Sequence, residues 1–361
     1  MKSRRPLTIL RHCPCEVARL PSEYSALTQA RGMGPLPDLV IEGHGERSLA
    51  ALLRRHGLPL GVVDQQDARV PLVDMVELFE SAAHLSGDPF FGLRVGGLMQ
   101  VTDYGCYILH AAAAPTLGRG IDRAVRGIRY YQAAGALRLE LRGEEACLSY
   151  RQQVTSPAAG RQHADHVLPA VLEFVRLFLG QAWRPARYVV PYPRHGLSGR
   201  LETLLGGAVE FGRDGAGVVF DRALLGLRTT PSAPEHAPGL RDLRQLVRTR
   251  PSDSLGAAVA QIAELQLLDA RVDLAGTAAR LRLRPRTLQR QLAIEGTSYR
   301  AIIDRVRFET ACRLLQETRL TVAEIADRLG YAEHPHLTRA FRRLAGCSPA
   351  EYRLLNGRAG P

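Results

Sequence analysis

Lysine is almost missing from this chain of 361 residues: Lys2 is the only one, and arginine supplies the other 47 of the 48 basic residues. No stretch of 18 apolar residues occurs, so the sequence offers no membrane-spanning helix. The first residues have neither the apolar run nor the small-residue cleavage site of a signal peptide, and there are only six cysteines. We therefore expect a soluble, cytoplasmic protein with reduced thiols.

Sequence motifs of common enzyme and metal sites are missing as well. The chain has no P-loop, no G-x-G-x-x-G after a strand, no H-E-x-x-H and no G-x-S-x-G. His334 and His336 with Cys347 lack a second ligand pair, and so do Cys13 and Cys15. We predict that the protein is not an enzyme and needs no metal or cofactor. The alternative is a sensor with catalytic or cysteine-based chemistry that a basic domain tethers to DNA.

Positive charge is abundant and unevenly placed. The net charge is +12, and residues 273–361 alone contain 16 arginines against nine acidic residues, a net of +7. Such an excess suits a polyanionic partner such as nucleic acid. Arginine binds phosphates and guanine edges through its planar fork, although a coding bias would also explain why it replaces lysine. The distribution predicts a basic C-terminal module.

Sequence patterns divide the chain into two domains. Residues 1–230 mix helical and strand-like segments, residues 231–252 form a proline-rich connector with a short helix around Leu240 to Val247, and residues 253–361 are helical throughout. The first domain is therefore predicted to be α+β. Its predicted helices are 49–56, 71–84, 115–132 and 163–180; its strands are a hairpin over 136–141 and 146–152, then 187–191 and 217–220, with 36–41 a doubtful strand.

A repeat in the C-terminal domain carries the functional prediction. The segments "AARLRLRPRTLQRQL" (278–292) and "ADRLGYAEHPHLTRAF" (326–341) align, with a turn one residue longer in the second copy. Each reads as helix, short turn and second helix, which is the helix-turn-helix pattern. Thr321 and Glu324 form a predicted capping box, and Gly330 lies where the helix should end.

The second helix of each copy is amphipathic. Leu288 and Leu292 in the first copy, and Leu337, Phe341 and Leu344 in the second, are predicted to face the core. The opposite face then carries arginine, glutamine and histidine, side chains that can bind bases and phosphates in the major groove. A helix over residues 299–318, roughly 30 Å long, separates the copies, enough to place both in successive major grooves.

These segments resemble the tandem helix-turn-helix domain of AraC/XylS-type transcription regulators, through "RPRTLQRQLAIEGTSYR", "RFETACRLLQETRLTVAEIADRLGYAE" and "LTRAFRRLAGCSPAEYR". The upstream segments "GDPFFGLRVG", "TLGRGIDRAVRGIRYY" and "GGAVEFGRDGAGVVFDRALLG" resemble the arabinose-binding-type sensor domain of the ornithine-utilisation-regulator-like branch. The resemblance implies a transcription regulator, expected to be an activator, that binds double-stranded promoter DNA. It further implies a small-molecule effector, a homodimer and contact with RNA polymerase, and no membrane partner.

The resemblance also implies site residues. The base-reading positions carried over are Arg286, Gln289, Arg290, His334, His336, Thr338 and Arg339. Phosphate contacts are expected from Arg282, Arg284, Arg342 and Arg343. The family usually has Gly and Ser where this chain has Arg282 and Arg284, and often Ser where it has Pro335. The effector pocket is not identified, since His110, His163 and His166 are predicted to lie on helix surfaces, with a ligand pocket as the alternative.

Overall fold

The computed structural model describes residues 27–132, 135–152, 160–227 and 254–356. The ranges up to residue 227 form a mixed helix-and-sheet domain, whereas residues 254–356 form helices. The predicted fold class is thereby confirmed. The whole predicted connector, including its short helix, and the Cys13–Cys15 pair lie outside these ranges. Within them, no helix is long and apolar enough to cross a membrane.

The first domain contains a bundle of helices beside two sheets. Its helices are α1 (Leu36–His44), α2 (Glu46–Arg55), α3 (Leu72–Ser86), α4 (Phe91–Leu98), α5 (Cys106–Ala112), α6 (Leu117–Tyr131), α7 (Arg161–Leu179) and α8 (Ser198–Leu205). Residues 36–41 therefore belong to a helix, not to a strand. Pro37 lies in the first turn of α1, where a missing N–H costs nothing, and Gly45 ends it with φ of +79°.

Two sheets are present in the described part of this domain. The strands are β1 (Leu27–Gln29), β2 (Arg69–Pro71), β3 (Gly135–Arg142), β4 (Glu145–Gln152), β5 (Arg187–Val189), β6 (Val209–Glu210) and β7 (Ala216–Asp221). Strands β1 and β2 pair as an antiparallel ribbon, and the others form a sheet of order β3-β4-β7-β5-β6. The predicted hairpin is confirmed, because β3 and β4 pair in register from both sides of the turn at Gly143. Helix α7 packs against this sheet.

Two glycines one turn apart let α4 lie directly against α7. A Cβ atom at Gly92 would lie 1.9 Å from the carbonyl oxygen of Gln162, and one at Gly96 would lie 2.2 Å from that of His166. The two backbones are therefore in contact, and no larger residue fits without moving a helix. This contact fixes the position of the first half of α7.

The C-terminal domain is a set of short helices around one long helix. They are α9 (Leu255–Leu267), α10 (Leu274–Arg280), α11 (Pro285–Ile294), α12 (Tyr299–Glu317), α13 (Val322–Arg328), α14 (His334–Ala345) and α15 (Pro349–Asn356). The predicted repeat corresponds to α10–α11 and α13–α14, separated by α12. At 1.5 Å per residue, the 19 residues of α12 span about 28 Å, close to the predicted length.

Polar contacts hold the first unit to its neighbours. The hydroxyl of Thr277, fully buried in α10, donates to Gln266 Oε1 of α9 at 2.8 Å and lies 3.1 Å from the Tyr299 hydroxyl of α12. The carboxylate of Glu295 accepts hydrogen bonds from the first two N–H groups of α9, both at 2.9 Å. These contacts supply partners that the buried groups would otherwise lack.

Candidate DNA-binding surface and domain contact

The turns of the two helix-turn-helix units have the same hydrogen bonds. In the first unit the N–H of Arg282 donates to Ala279 O at 2.9 Å, and that of Leu283 donates to Ala278 O at 2.8 Å. The same pair of bonds, both 2.9 Å long, recurs in the second unit at Gly330 and the residue that follows it. The duplication seen in the sequence is therefore a duplication of backbone geometry.

Arg282 takes a conformation that suits glycine. Its φ is +51°, in the left-handed region, and the equivalent Gly330 has φ of +69°. A side chain in this region costs about 1–2 kcal/mol because Cβ crowds the backbone. Arg284, at the N-cap of α11, makes no side-chain capping bond. The first unit thus keeps the family geometry without the residues that best stabilise it.

The second helix of the first unit, α11, has the predicted buried and exposed faces. We call α11 and its equivalent α14 the reading helices, because the predicted base contacts lie on them. Leu288 and Leu292 are completely buried. Arg286, Gln289 and Arg290 are all exposed on the other side. Three side chains that can form hydrogen bonds with base edges therefore project together from one short helix.

The second reading helix, α14, departs from the prediction at one core position. Leu337 and Phe341 are buried, but Leu344 is 47% exposed. The ring centre of Phe341 lies 4.9 Å from that of Phe308 and 5.3 Å from that of Tyr352, so aromatic rings already occupy this part of the core. Leu344 lies in the last turn of the helix, beyond this cluster, so the prediction that it faces the core was wrong.

The polar face of α14 begins at the first residue of the helix. His334, His336 and Arg339 are exposed, whereas Thr338 is half-buried and its hydroxyl donates to His334 O at 3.3 Å. The N-cap is Glu333, which makes no side-chain capping bond. His334 therefore does not cap the helix, and Pro335 is its second residue, where the missing N–H has no partner within the helix to lose.

The four predicted phosphate-binding arginines are exposed but have different surroundings. Nη2 of Arg343 lies 2.7 Å from Asp304 Oδ2, so this guanidinium joins α14 to α12. Arg282 lies near Asp74 of the first domain, whose pKa its positive charge lowers. Arg284 and Arg342 have no salt bridge to any described residue.

The long helix braces the second turn. The Arg307 guanidinium lies 4.8 Å from the ring centre of Tyr331 and donates from Nη2 to Gly330 O at 3.4 Å. Helix α15, which follows α14, begins with two reciprocal hydrogen bonds: the Ser348 N–H donates to the Glu351 carboxylate, and the Glu351 N–H donates to the Ser348 hydroxyl. These contacts fix the turn that precedes α14 and the start of the helix that follows it.

The β1–β2 ribbon contacts both domains. Leu27 packs in the hydrophobic cluster of the C-terminal domain, and β2 contacts α9. From the other side, Leu265 of α9 packs in the cluster formed by α1 to α4. Arg69 of β2, 6% exposed, donates from Nη1 to Tyr131 O at the end of α6. A short ribbon thus connects α6 with the DNA-binding domain.

A second contact between the domains is charged. Burial raises the pKa of Asp74 on α3 to about 7, and the guanidinium groups of Arg280 and Arg282 act against that rise. The end of the Arg280 side chain also lies over Gly57, 3.1 Å from where a Cβ would be. Helix α3 therefore faces the first helix-turn-helix unit through a carboxyl group that titrates near neutral pH.

Two of the three histidines that were predicted to lie on helix surfaces are buried. His163 and His166 on α7 are 6% and 2% exposed, so the prediction of a helix-surface position was wrong for both. His110 on α5 is half-exposed, and its carbonyl accepts from Arg123 at 3.0 Å. In the ranges the structure describes, no three His, Cys, Asp or Glu side chains come together as metal ligands.

A mixed α/β domain followed by two helix-turn-helix units defines a DNA-binding transcription regulator with an attached sensor-type domain. Residues 47–229 match the family model for the arabinose-binding domain of AraC transcription regulators, and residues 277–354 match a helix-turn-helix domain model. The chain belongs to the AraC family of transcription regulators.

Similar proteins span nearly the whole chain. It is 28% identical over 342 residues to the HTH-type transcriptional regulator VirS of Mycobacterium tuberculosis, covering 93% of this chain and 96% of VirS. It is 28% identical over 305 residues to the ornithine utilization regulator of Pseudomonas aeruginosa, covering 81% and 86%. The crystal structure of the transcriptional regulator CdpR from Pseudomonas aeruginosa aligns with 84% of this chain and 97% of its own, at 23% identity and a TM-score of 0.38.

Proposed function

We propose that this chain is a ligand-controlled activator that binds promoter DNA as a homodimer, with α11 and α14 in successive major grooves. The observation that carries this proposal is the correspondence between the two units: each presents an exposed arginine at the equivalent position, Arg290 in the first and Arg339 in the second. An exposed polar face on one helix is common, but a similar face on two helices that follow turns with the same pair of hydrogen bonds favours DNA.

The proposed contacts follow from chemistry and exposure. Arginine forms a bidentate pair with guanine and glutamine with adenine, so Arg286, Gln289 and Arg290 would read bases in the first groove. In the second groove His334, His336, Thr338 and Arg339 would do so. Arg284 and Arg342 have no salt bridge to a described residue and would reach phosphates directly, whereas Arg282 lies near Asp74 and Arg343 would first have to leave Asp304.

The proposed control acts through the relation between the domains. Ligand binding in the first domain would shift the population of DNA-competent dimers only if the ligand binds the two arrangements unequally. The ribbon β1–β2 and the contact of α3 with α10 supply surfaces that such a shift would change. This adds a direct route to the one expected through the connector.

Genome-wide mapping of bound sites, followed by fluorescence anisotropy on a recovered site, tests the DNA contacts. Arg290→Ala and Arg339→Ala should each weaken specific binding by about 1–3 kcal/mol and relax preference at one base pair. Arg319→Ala, a change outside both reading helices, is the control. Equal loss on specific and random DNA would make the two arginines phosphate contacts.

Control by a ligand needs its own experiment. Operator affinity and promoter output are measured with and without each compound that binds the first domain, and dimerisation is followed by analytical ultracentrifugation. The proposal predicts that at least one such compound changes both. If operator affinity and output stay unchanged for every compound that binds, effector control is wrong.

A further inference from the structure

A cavity lies inside the first domain, between α6, α7 and the edge of the sheet formed by β3 and β4. Its volume is about 80 Å³, about five times the 10–15 Å³ that one water molecule needs. The space fits a single small ring or a short branched chain. Leu137, Leu148, Ile128, Val167 and Phe174 make most of its wall apolar.

Two histidines give this cavity polar atoms without partners. His163 and His166, one helical turn apart on α7, line it, and their ring centres are 5.7 Å apart. Nδ1 of each ring is buried and has no hydrogen-bond partner in the structure. A buried polar atom without a partner costs about 1–3 kcal/mol, so both rings have hydrogen-bonding capacity left for a ligand.

Most other polar groups of the cavity pair with one another. The Thr28 hydroxyl donates to Gln132 Oε1 at 3.3 Å, and Gln132 Nε2 donates to the Tyr150 hydroxyl at 2.6 Å. The Tyr104 hydroxyl lies 3.4 Å from Nε2 of His166. Among the described residues that line the cavity, the buried side-chain atoms without a partner are therefore Nδ1 of both imidazoles and the Tyr131 hydroxyl.

The wall of the cavity favours an uncharged occupant. Among the described residues that line the cavity, none is Asp, Glu or Arg. Burial lowers the pKa of His163 to about 4 and that of His166 well below its ordinary value, so both rings are neutral at neutral pH. An ion would have to lose its hydration without a counter-charge, which costs several kcal/mol.

We propose that this cavity binds a small uncharged molecule with an apolar ring-sized body and a hydroxyl group that hydrogen-bonds to Nδ1 of His163 or His166. A hydroxyl both donates and accepts, so it can meet either tautomer of a neutral imidazole. A role for this ligand in the cell rests on the proposed effector control. Ligand binding itself is measured independently of DNA.

Three probes of similar size test the ligand class on the full-length protein at pH 7.5: phenol, toluene and benzoate. In calorimetry, phenol should bind. Toluene should bind at least about tenfold more weakly because it cannot form the hydrogen bond, and benzoate should not bind. Long-range ¹⁵N spectra of histidine-labelled protein should shift the Nδ1 signals of one or both cavity histidines. Failure of all three probes to bind, or toluene binding as tightly as phenol, would overturn the proposal.

Histidine variants provide the matched test. His163→Leu and His166→Leu should each weaken phenol binding about tenfold. His163→Leu should also raise the melting temperature of the ligand-free protein, because an unpartnered polar atom is lost, whereas His166→Leu also removes the contact with the Tyr104 hydroxyl. His195→Leu is the control, since His195 also has a buried unpartnered nitrogen but lies outside the cavity, beside Tyr192 and Phe211. Phenol affinity unchanged in both cavity variants would contradict the site, whichever way their stability moves.

A DNA measurement separates this inference from the proposed function. Phenol binding with no change in operator affinity supports the cavity and counts against effector control. Operator binding without any phenol binding counts against the cavity and leaves DNA recognition standing.

Discussion

The two turns of the DNA-binding domain predict opposite responses to mutation at equivalent positions. Gly330 and Arg282 both have left-handed backbones, with φ of +69° and +51°. Replacing Gly330 by alanine adds a Cβ where one is disfavoured, and replacing Arg282 by glycine removes one. We therefore expect Gly330→Ala to destabilise the domain and Arg282→Gly to stabilise it.

The magnitudes follow from three effects. The left-handed conformation costs a residue with Cβ about 1–2 kcal/mol in the folded state. A glycine at the same position gives the unfolded chain more conformational freedom, and this offsets about 0.4–1 kcal/mol of that difference. Arg282→Gly should therefore gain about 0.5–1 kcal/mol. At Gly330 the new Cβ would also lie 2.3 Å from Ala270 O, a backbone atom, and such overpacking adds about 1–3 kcal/mol. Gly330→Ala should therefore lose about 1.5–4 kcal/mol.

Gly346→Ala isolates the conformational effect. Gly346 has φ of +74° and nothing within 4 Å of the added Cβ, so its loss should be only about 0.5–1 kcal/mol. Native-state hydrogen exchange on peptides from α10 to α14 of the full-length protein reports the opening free energy of each unit. The reasoning is refuted if Arg282→Gly destabilises α10 and α11, or if Gly330→Ala costs no more than Gly346→Ala.

Three further changes have defined outcomes. Gly96→Ala should separate α4 from α7, which calorimetry would detect as weaker phenol binding together with a lower melting temperature. Burial raises the pKa of Asp165 to about 7, so the folded state binds its proton more tightly than the unfolded chain does and stability falls as pH rises from about 4 to 7. Asp165→Asn should flatten that part of the pH profile in urea titrations at pH 5 and pH 8. Arg343→Gln, which breaks the pair with Asp304, should cost about 1 kcal/mol or less because both groups are partly exposed, seen as faster exchange in α14.

The C-terminal domain was predicted well because its structure is local. Its helices are marked by their own apolar period and by local end signals, of which the capping box of Thr321 with Glu324 was confirmed. The exposed position of Leu344 could not be predicted, because it depends on Phe341 meeting side chains from α12 and α15. The roles of the reading residues stay predictions, since exposure alone does not identify a base.

The buried histidines of α7 could have been found from the sequence. His163, His166, Val167, Ala170 and Val171 follow the spacing of one helical face, and that face is otherwise apolar. The pattern therefore indicated burial for both histidines. What the sequence could not supply is the cavity, since its far wall comes from a hairpin and from β1, more than a hundred residues earlier.

Strand β1 contacts both the cavity and the C-terminal domain, so it offers a route by which ligand binding would affect the DNA-binding domain. Successive side chains of a strand point to opposite faces, so Thr28 lines the cavity while its neighbour Leu27 packs in the core of the C-terminal domain. Arg69, paired with Gln29 on the adjoining strand, bonds to Tyr131 O, and Tyr131 also lines the cavity. A ligand that displaced the backbone at Thr28 would also displace Leu27, because the two residues are joined by one planar peptide bond. Under the proposed control, the first signal therefore passes through this ribbon, and the connector need only permit the movement that follows.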